Sequence, residues 1–189
     1  KKIKFLGNLK FSESKTQKNI ALNKNIEKIF KSRKIWCAAS THEGEEKICA
    51  EAHQKLKKKY KKLLTVIIPR HVHRVNDIYK EILDMGFKVQ IHSKKNKIKK
   101  DTDIYLVDTY GETKSFFKIC NTVFLGGSIV NHGGQNPLEP ARFGCKILHG
   151  PNIQNFTEVY RLLNKENLSF KFYNTNQLAK SVNQSLNQN

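Results

Sequence analysis

Four short stretches of the 189-residue chain gather residues able to hold an anionic, hydroxyl-rich ligand. The first is Ser40-Thr41-His42-Glu43-Gly44-Glu45-Glu46. Ser40 or Thr41 can cap a helix there, and the acidic residues suit its positive end. A histidine so early in a helix is disfavoured as a cation, so His42 has a second reading as a ligand contact. The next stretch is Pro69-Arg70-His71-Val72-His73-Arg74. A guanidinium at such a point can grip phosphate or carboxylate through paired charge-assisted bonds, which favours Arg70 as a functional group. His71, His73 and Arg74 read equally as exposed side chains or as site residues. The His-x-His spacing also suits a metal, but no nearby cysteine or suitably spaced carboxylate completes a ligand set.

Asp108-Thr109-Tyr110-Gly111-Glu112 carries a capping-box pattern in Thr109 and Glu112. Gly111 is either a plain turn residue or one that leaves backbone N–H groups open to a base or phosphate. The richest stretch runs from Gly126 to Pro140, with glycine pairs at Gly126-Gly127 and Gly133-Gly134 and the run Gln135-Asn136-Pro137-Leu138-Glu139-Pro140. Paired glycines let backbone approach a ligand closely, and Asn136 with Pro137 reads as N-cap and first helical residue. Glu139 then either closes a capping box or accepts the two hydroxyls of a ribose. Neither the dinucleotide fingerprint nor the P-loop spacing occurs.

These stretches need a frame that presents them together. Short apolar runs at 34–39, 63–68, 87–91, 104–107, 122–125 and 146–148 have strand length. Their nearly continuous apolar content suits strands covered on both faces. Helical spacing lies between and after them, at Ile48, Ala52 and Leu56, at Ile78 and Ile82, at Phe156, Val159 and Leu163, and at Leu178, Val182 and Leu186. Strands alternating with helices predict a Rossmann-like, doubly wound parallel α/β sheet with right-handed crossovers. A strand at 2–6 either opens that sheet or belongs to a neighbouring domain, and the Asn- and Gln-rich last dozen residues are expected to fray. In such a sheet the four stretches fall at strand ends, where ligands bind.

The length suits one domain. No run approaches the roughly 18 apolar residues of a membrane helix, and the first residues lack a signal peptide's apolar segment, so the chain reads as soluble. It opens at Lys1 directly in an alternating apolar stretch, which reads as a processed product or an excised fragment. Cys37, Cys49, Cys120 and Cys145 form no C-x-x-C pair and read as buried free thiols of a reducing compartment. The formal charge of +19 is largely lysine, concentrated at 53–62 and 94–100. Joint enrichment in Lys, Asn and Ile fits a coding bias and a solvated face as well as an anionic partner.

Read together, the motifs carry a resemblance. Gly7-Asn8-Leu9-Lys10-Phe11, Ala38 to Glu46, Pro69-Arg70-His71, Asp108 to Glu112, Gly126-Gly127-Ser128 and Gly133 to Pro140 are similar, in order and spacing, to the second half of 3-deoxy-D-manno-octulosonic acid (Kdo) transferases. The resemblance implies the C-terminal half of a GT-B glycosyltransferase, with residues 1–189 forming the donor-binding domain and 1–14 an interdomain connector. It implies inverting transfer of Kdo from CMP-Kdo to the lipid A precursor lipid IVA, without cofactor or metal, at the cytoplasmic face of the bacterial inner membrane. Carried over, Pro69, Arg70, Tyr110, Gly111, Glu112, Asn136, Pro137, Leu138 and Glu139 contact the nucleotide. Ser40, Thr41, His42, Gly127, Ser128 and Gln135 are the candidates for donor sugar or phosphate. Family members often carry Met where Tyr110 stands. The family's catalytic base lies in the first domain and has no counterpart here, so no catalytic residue is assigned. The acceptor and the membrane surface are reached through that other domain, and nucleic acid is not an expected partner. Two alternatives remain, a GT-B enzyme using a UDP-sugar and a basic nucleic-acid-binding module; the lysine runs lack the interleaved aromatics of a stacking platform.

Overall fold

The computed structural model of the protein describes residue 22, residues 24–94 and residues 98–187. Among these, the chain runs α1 (Lys24–Lys31), β1 (Lys34–Thr41), α2 (Glu45–Lys57), β2 (Leu63–Pro69), a 3-10 turn (Val72–Arg74), α3 (Val75–Asp84), β3 (Val89–Ile91) and β4 (Ile104–Leu106). It continues through α4 (Thr113–Phe117), β5 (Thr122–Leu125), α5 (Leu138–Arg142), β6 (Lys146–His149), a second 3-10 turn (Gln154–Phe156), α6 (Thr157–Lys165), β7 (Ser169–Lys171) and α7 (Thr175–Asn187). The seven strands form one sheet in the order β3-β4-β2-β1-β5-β6-β7, and every pairing is parallel. The expected Rossmann-like α/β sheet is therefore present.

The side-chain alternation of β1 splits the core into two layers. Trp36 and Ala38 pack with Cys49, Ile78 and Leu178 of α2, α3 and α7 on one face. Cys37 and Ala39 pack with Phe30, Phe116 and Tyr160 of α1, α4 and α6 on the other. All seven residues of β2 are buried, which is why its sequence shows no polar alternation. The four cysteines are free and buried within these layers, and burial pushes the Cys145 thiol up to about 12.

Several expectations shift. The strands extend one or two residues beyond the apolar runs in β1, β2 and β6, while β3 begins only at Val89. The α1 helix, α4 and β7 have no counterpart in the sequence reading. Far from fraying, the Asn- and Gln-rich tail is helical to Asn187, because Leu178, Val182 and Leu186 are buried against the sheet. The strand at 2–6, the connector at 1–14 and the Gly7 to Phe11 motif lie outside the described residues.

Ile67 sits fully buried in β2, near the centre of the sheet. Truncating it to Ala should cost about 2–5 kcal/mol, the range for a large-to-small core change. Urea unfolding of Ile67→Ala checks this, with the midpoint falling and the slope unchanged.

Candidate functional site

The strand order reverses between β1 and β5, so their carboxyl ends flank the crevice where open α/β sheets take ligands. The β1 strand does not run directly into a helix there. Its register slips between Ala39 and Thr41, and Ser40 stands at φ 55°. A left-handed residue other than glycine costs roughly 1–2 kcal/mol, so the surrounding structure must hold this bulge in place. The bulge keeps Thr41 in the strand, and α2 starts only at Glu45 behind Gly44 at φ 85°. Neither Ser40 nor Thr41 caps the helix as expected, and His42 lies in the loop ahead of it.

The two acidic residues that open α2 are fully buried and do more than complement the helix end. Glu45 accepts the backbone N–H groups of His42 at 2.9 Å, Gly127 at 2.8 Å, Ser128 at 3.2 Å and Ile129 at 2.9 Å. Burial pushes its pKa up, and these N–H donors pull against that rise. A Cβ on Gly126 would lie 2.3 Å from the Ser40 carbonyl oxygen and 2.6 Å from a Glu45 carboxylate oxygen, so the two strand ends meet only over glycine. Glu46 accepts from Thr41 Oγ1 at 2.8 Å and from both terminal nitrogens of Arg74, at 3.0 and 3.3 Å. Arg74 is therefore committed to the scaffold, while Arg70 keeps an exposed side chain and donates its backbone N–H to the Thr41 carbonyl at 2.9 Å.

At the end of β4, α4 begins at Thr113 with Glu112 in the cap position, so Thr109 is not its N-cap. Thr109 Oγ1 instead donates to the Glu112 carboxylate. His92 bridges the same carboxylate, at 3.0 Å, to the Tyr105 hydroxyl at 2.9 Å. Between these fixed points Gly111 turns at φ 82° and Tyr110 is 72% exposed. At the start of α5, Asn136 Oδ1 accepts the Leu138 N–H at 3.0 Å, the bond expected of an N-cap. The helix is assigned from Leu138, one residue later than expected, and Glu139 pairs with Lys114 at 3.6 Å.

Six of the sequence candidates, Ser40, Arg70, Gln135, Asn136, Leu138 and Glu139, line one cavity of about 290 Å³. Sequence reasoning missed Thr113, Phe117, Leu125, Pro140 and Arg142, which complete its wall. Arg142 was legible in principle, one helical turn beyond Leu138 on the same face of α5. Gly127 lies outside that wall, packed against His42 and His132; a Cβ there would meet both rings at 3.1–3.2 Å. Thr41 and Ser128 are buried with internal partners, the Ser128 hydroxyl donating to Leu125 O and accepting from Gly150 N. Pro69 and Pro137 are buried as well. His42 adjoins the cavity through Gln135, whose side-chain amide lies 3.3 Å from His42 Nε2. Burial and the neighbouring His132, His71, Arg70 and Arg74 push His42 down to about 4. No group of three or more His, Cys, Asp or Glu among the described residues is arranged to hold a metal ion.

No family model matches the chain. A 3-deoxy-D-manno-octulosonic acid transferase of Haemophilus influenzae is 34% identical over 163 residues, 86% of this chain and 38% of that protein. Its counterpart in Aquifex aeolicus is 30% identical over 149 residues, 79% of this chain and 41% of that protein. Among solved structures, the C-terminal CMP-Kdo binding domain of WaaA from Acinetobacter baumannii superposes with a TM-score of 0.79 at 26% identity, covering 84% of this chain and 83% of that one. The chain is a homologue of Kdo transferases. It spans about two fifths of the length of the curated relatives it matches, and the solved CMP-Kdo binding domain it resembles is a C-terminal one. These relatives favour neither a UDP-sugar enzyme nor a nucleic-acid-binding module.

Glu45 should be the most sensitive position of the edge. Glu45→Gln keeps the shape but turns an N–H₂ group toward backbone donors, and each buried donor left unmet costs about 1–3 kcal/mol. The expected outcome is a loss of about 2–4 kcal/mol in chemical denaturation, with earlier amide exchange in the Gly126 to Ile129 loop than in β2.

Proposed function

We propose that residues 1–189 are the donor-binding domain of a Kdo transferase, with 1–14 leading to an acceptor domain. The ligand of this domain is CMP-Kdo. In the two-domain enzyme Kdo passes with inversion to lipid IVA at the cytoplasmic face of the inner membrane, without a metal. Among the described residues no helix is long and apolar enough to cross a membrane.

The observation that carries this reading is the one cavity uniting Ser40 and Arg70, at the ends of β1 and β2, with Gln135, Asn136 and Glu139 around the start of α5. Arg70 holds the phosphate, and its fixed charge stabilises the negative charge that gathers on CMP as the sugar leaves. The carboxylate of Glu139, half-turned toward Lys114 with 38% of its side chain exposed, accepts the ribose hydroxyls. The Tyr110 to Glu112 turn faces the base, with Gly111 allowing close backbone approach and Glu112 held still by His92 and Thr109. The exposed Tyr110 ring offers a flat apolar surface for the pyrimidine.

Titration calorimetry with CMP should give binding that survives a chelator; binding only on addition of magnesium would count against this site. Arg70→Ala should weaken it by about 1.5–3 kcal/mol, the range for a charged hydrogen bond, with no change in thermal midpoint. The chain alone should transfer almost no Kdo from CMP-Kdo to lipid IVA, because positioning of the acceptor contributes roughly 7–11 kcal/mol and the base a further hundred- to ten-thousand-fold. Turnover should return on fusion to the acceptor half of a relative. Rapid transfer by the isolated chain, or an inactive fusion that still binds CMP, would each overturn the assignment.

A further inference from the structure

Beside the cavity the crevice carries a row of imidazoles drawn from three segments. His42 follows β1, His71 and His73 follow β2, and His132 belongs to the glycine loop after β5. The His132 and His42 rings lie 4.2 Å apart at 36°, His71 meets His42 edge-on at 6.0 Å, and His73 continues the row at 5.6 Å. This spacing is built into the backbone: a Cβ on Gly127 would press on the His132 and His42 rings at 3.1–3.2 Å.

The row is rich in groups able to carry positive charge, and the nearby carboxylates are spoken for. Glu45 is taken up by backbone N–H groups, and Glu46 by Thr41 and Arg74. Glu43, next to His42 in the chain, is exposed at the loop surface. Arg70 and Arg74 flank the row from the β2 side. His42 is pushed down to about 4, by burial first and then by the neighbouring His132 and His71. The 3.3 Å contact from the Gln135 amide to His42 Nε2 fits a neutral ring that accepts there. An anion laid against the rings removes the repulsion and favours their protonated forms.

Resting on the donor-site reading above, we propose that His42, His71 and His132 form a proton-linked seat for the carboxylate of the sugar acid, distinct from the Arg70 phosphate contact. Kdo is an octulosonic acid, so its donor presents a carboxylate as well as a phosphodiester, and the seat adjoins the cavity through Gln135. Binding draws a proton onto the row at His42, which is neutral when free and charged when the carboxylate is present. Affinity therefore rises as pH falls through the bound-state titration.

The test compares freshly prepared CMP-Kdo with cytidine 5′-(methyl phosphate), which shares the nucleotide and the phosphodiester but lacks the carboxylate. A diester avoids the second phosphate ionisation near pH 6 that would confuse CMP itself. CMP-Kdo should bind about tenfold more tightly at pH 6 than at pH 8, which asks the carboxylate to raise the titration of His42 from about 4 when free to ~7 when bound. Its calorimetric heat should vary with buffer ionisation enthalpy as uptake of about one proton requires. The methyl ester should show neither effect. His132→Gln and His71→Gln should each flatten the CMP-Kdo profile while leaving methyl-ester affinity and thermal midpoint unchanged. A flat CMP-Kdo profile, the same profile for both esters, or variants that keep the wild-type profile would overturn the seat alone. Failure of both esters to bind at either pH would overturn the donor-site reading on which it rests.

Discussion

The carboxylate of Glu45 joins the two halves of the sheet at the point where their order reverses. One side chain takes up four backbone N–H groups, one from the β1–α2 loop and three from the glycine loop after β5. Each of those donors would otherwise face either solvent or an unfilled interior, and an unmet buried donor costs about 1–3 kcal/mol. The tie explains the neighbouring oddities together. Ser40 can hold φ 55° because its carbonyl is packed over Gly126, and Gly126 must lack a Cβ because Glu45 occupies the space. Gly44 takes the left-handed position that turns α2 inward behind it. Glu46 repeats the device on the β2 side, fixing Arg74 and Thr41 and so leaving Arg70 as the guanidinium turned outward. Tyr160 reaches the same region from α6, donating to the Gln135 carbonyl at 3.1 Å, and burial raises its pKa so that it stays a donor.

The fold was legible where burial is two-sided. The β2 strand reads as Leu-Leu-Thr-Val-Ile-Ile-Pro because both faces are covered, and β5 was bounded to the residue for the same reason. The edge strands were hard. In β7, Ser-Phe-Lys has one buried, one half-buried and one exposed residue, too little contrast for any period to show. Where cap assignments failed, they did so for a different reason. Ser40, Thr41 and Thr109 are good caps by type, but each is claimed by tertiary structure, Ser40 by the bulge, Thr41 by Glu46 and Thr109 by Glu112. A partner such as His92 for Glu112, twenty residues back in the chain, leaves no local trace.

The site was legible as motifs and illegible as a wall. Glycine pairs, Arg70 and the Asn136 to Pro140 run announce themselves by residue type, whereas Thr113 and Phe117 are ordinary residues that reach the cavity only through the placement of α4. Charge misled in the opposite way. The lysines at 58, 59, 61 and 62 sit in the turn that leads into the start of β2, at the far edge of the sheet from the crevice. The fixed positive charges at the crevice are guanidinium groups, Arg70 and Arg142 in the cavity wall, so the formal charge of +19 says little about it.

The energies separate binding from catalysis. A charged hydrogen bond from a guanidinium contributes about 1.5–3 kcal/mol, and an enzyme must lower its barrier by at least about 8 kcal/mol. On the proposed reading the Arg70 contact helps hold a nucleotide and ease its departure, yet by itself it supplies less than half of that threshold. On the proposed reading the remainder comes from groups outside this domain that position and deprotonate the acceptor. A rigid edge suits such a division. Glu45 is locked to backbone, Glu46 to Thr41 and Arg74, and the strained Ser40 is held by packing, so on the proposed reading a donor bound here is already fixed in place and only the acceptor is left to order.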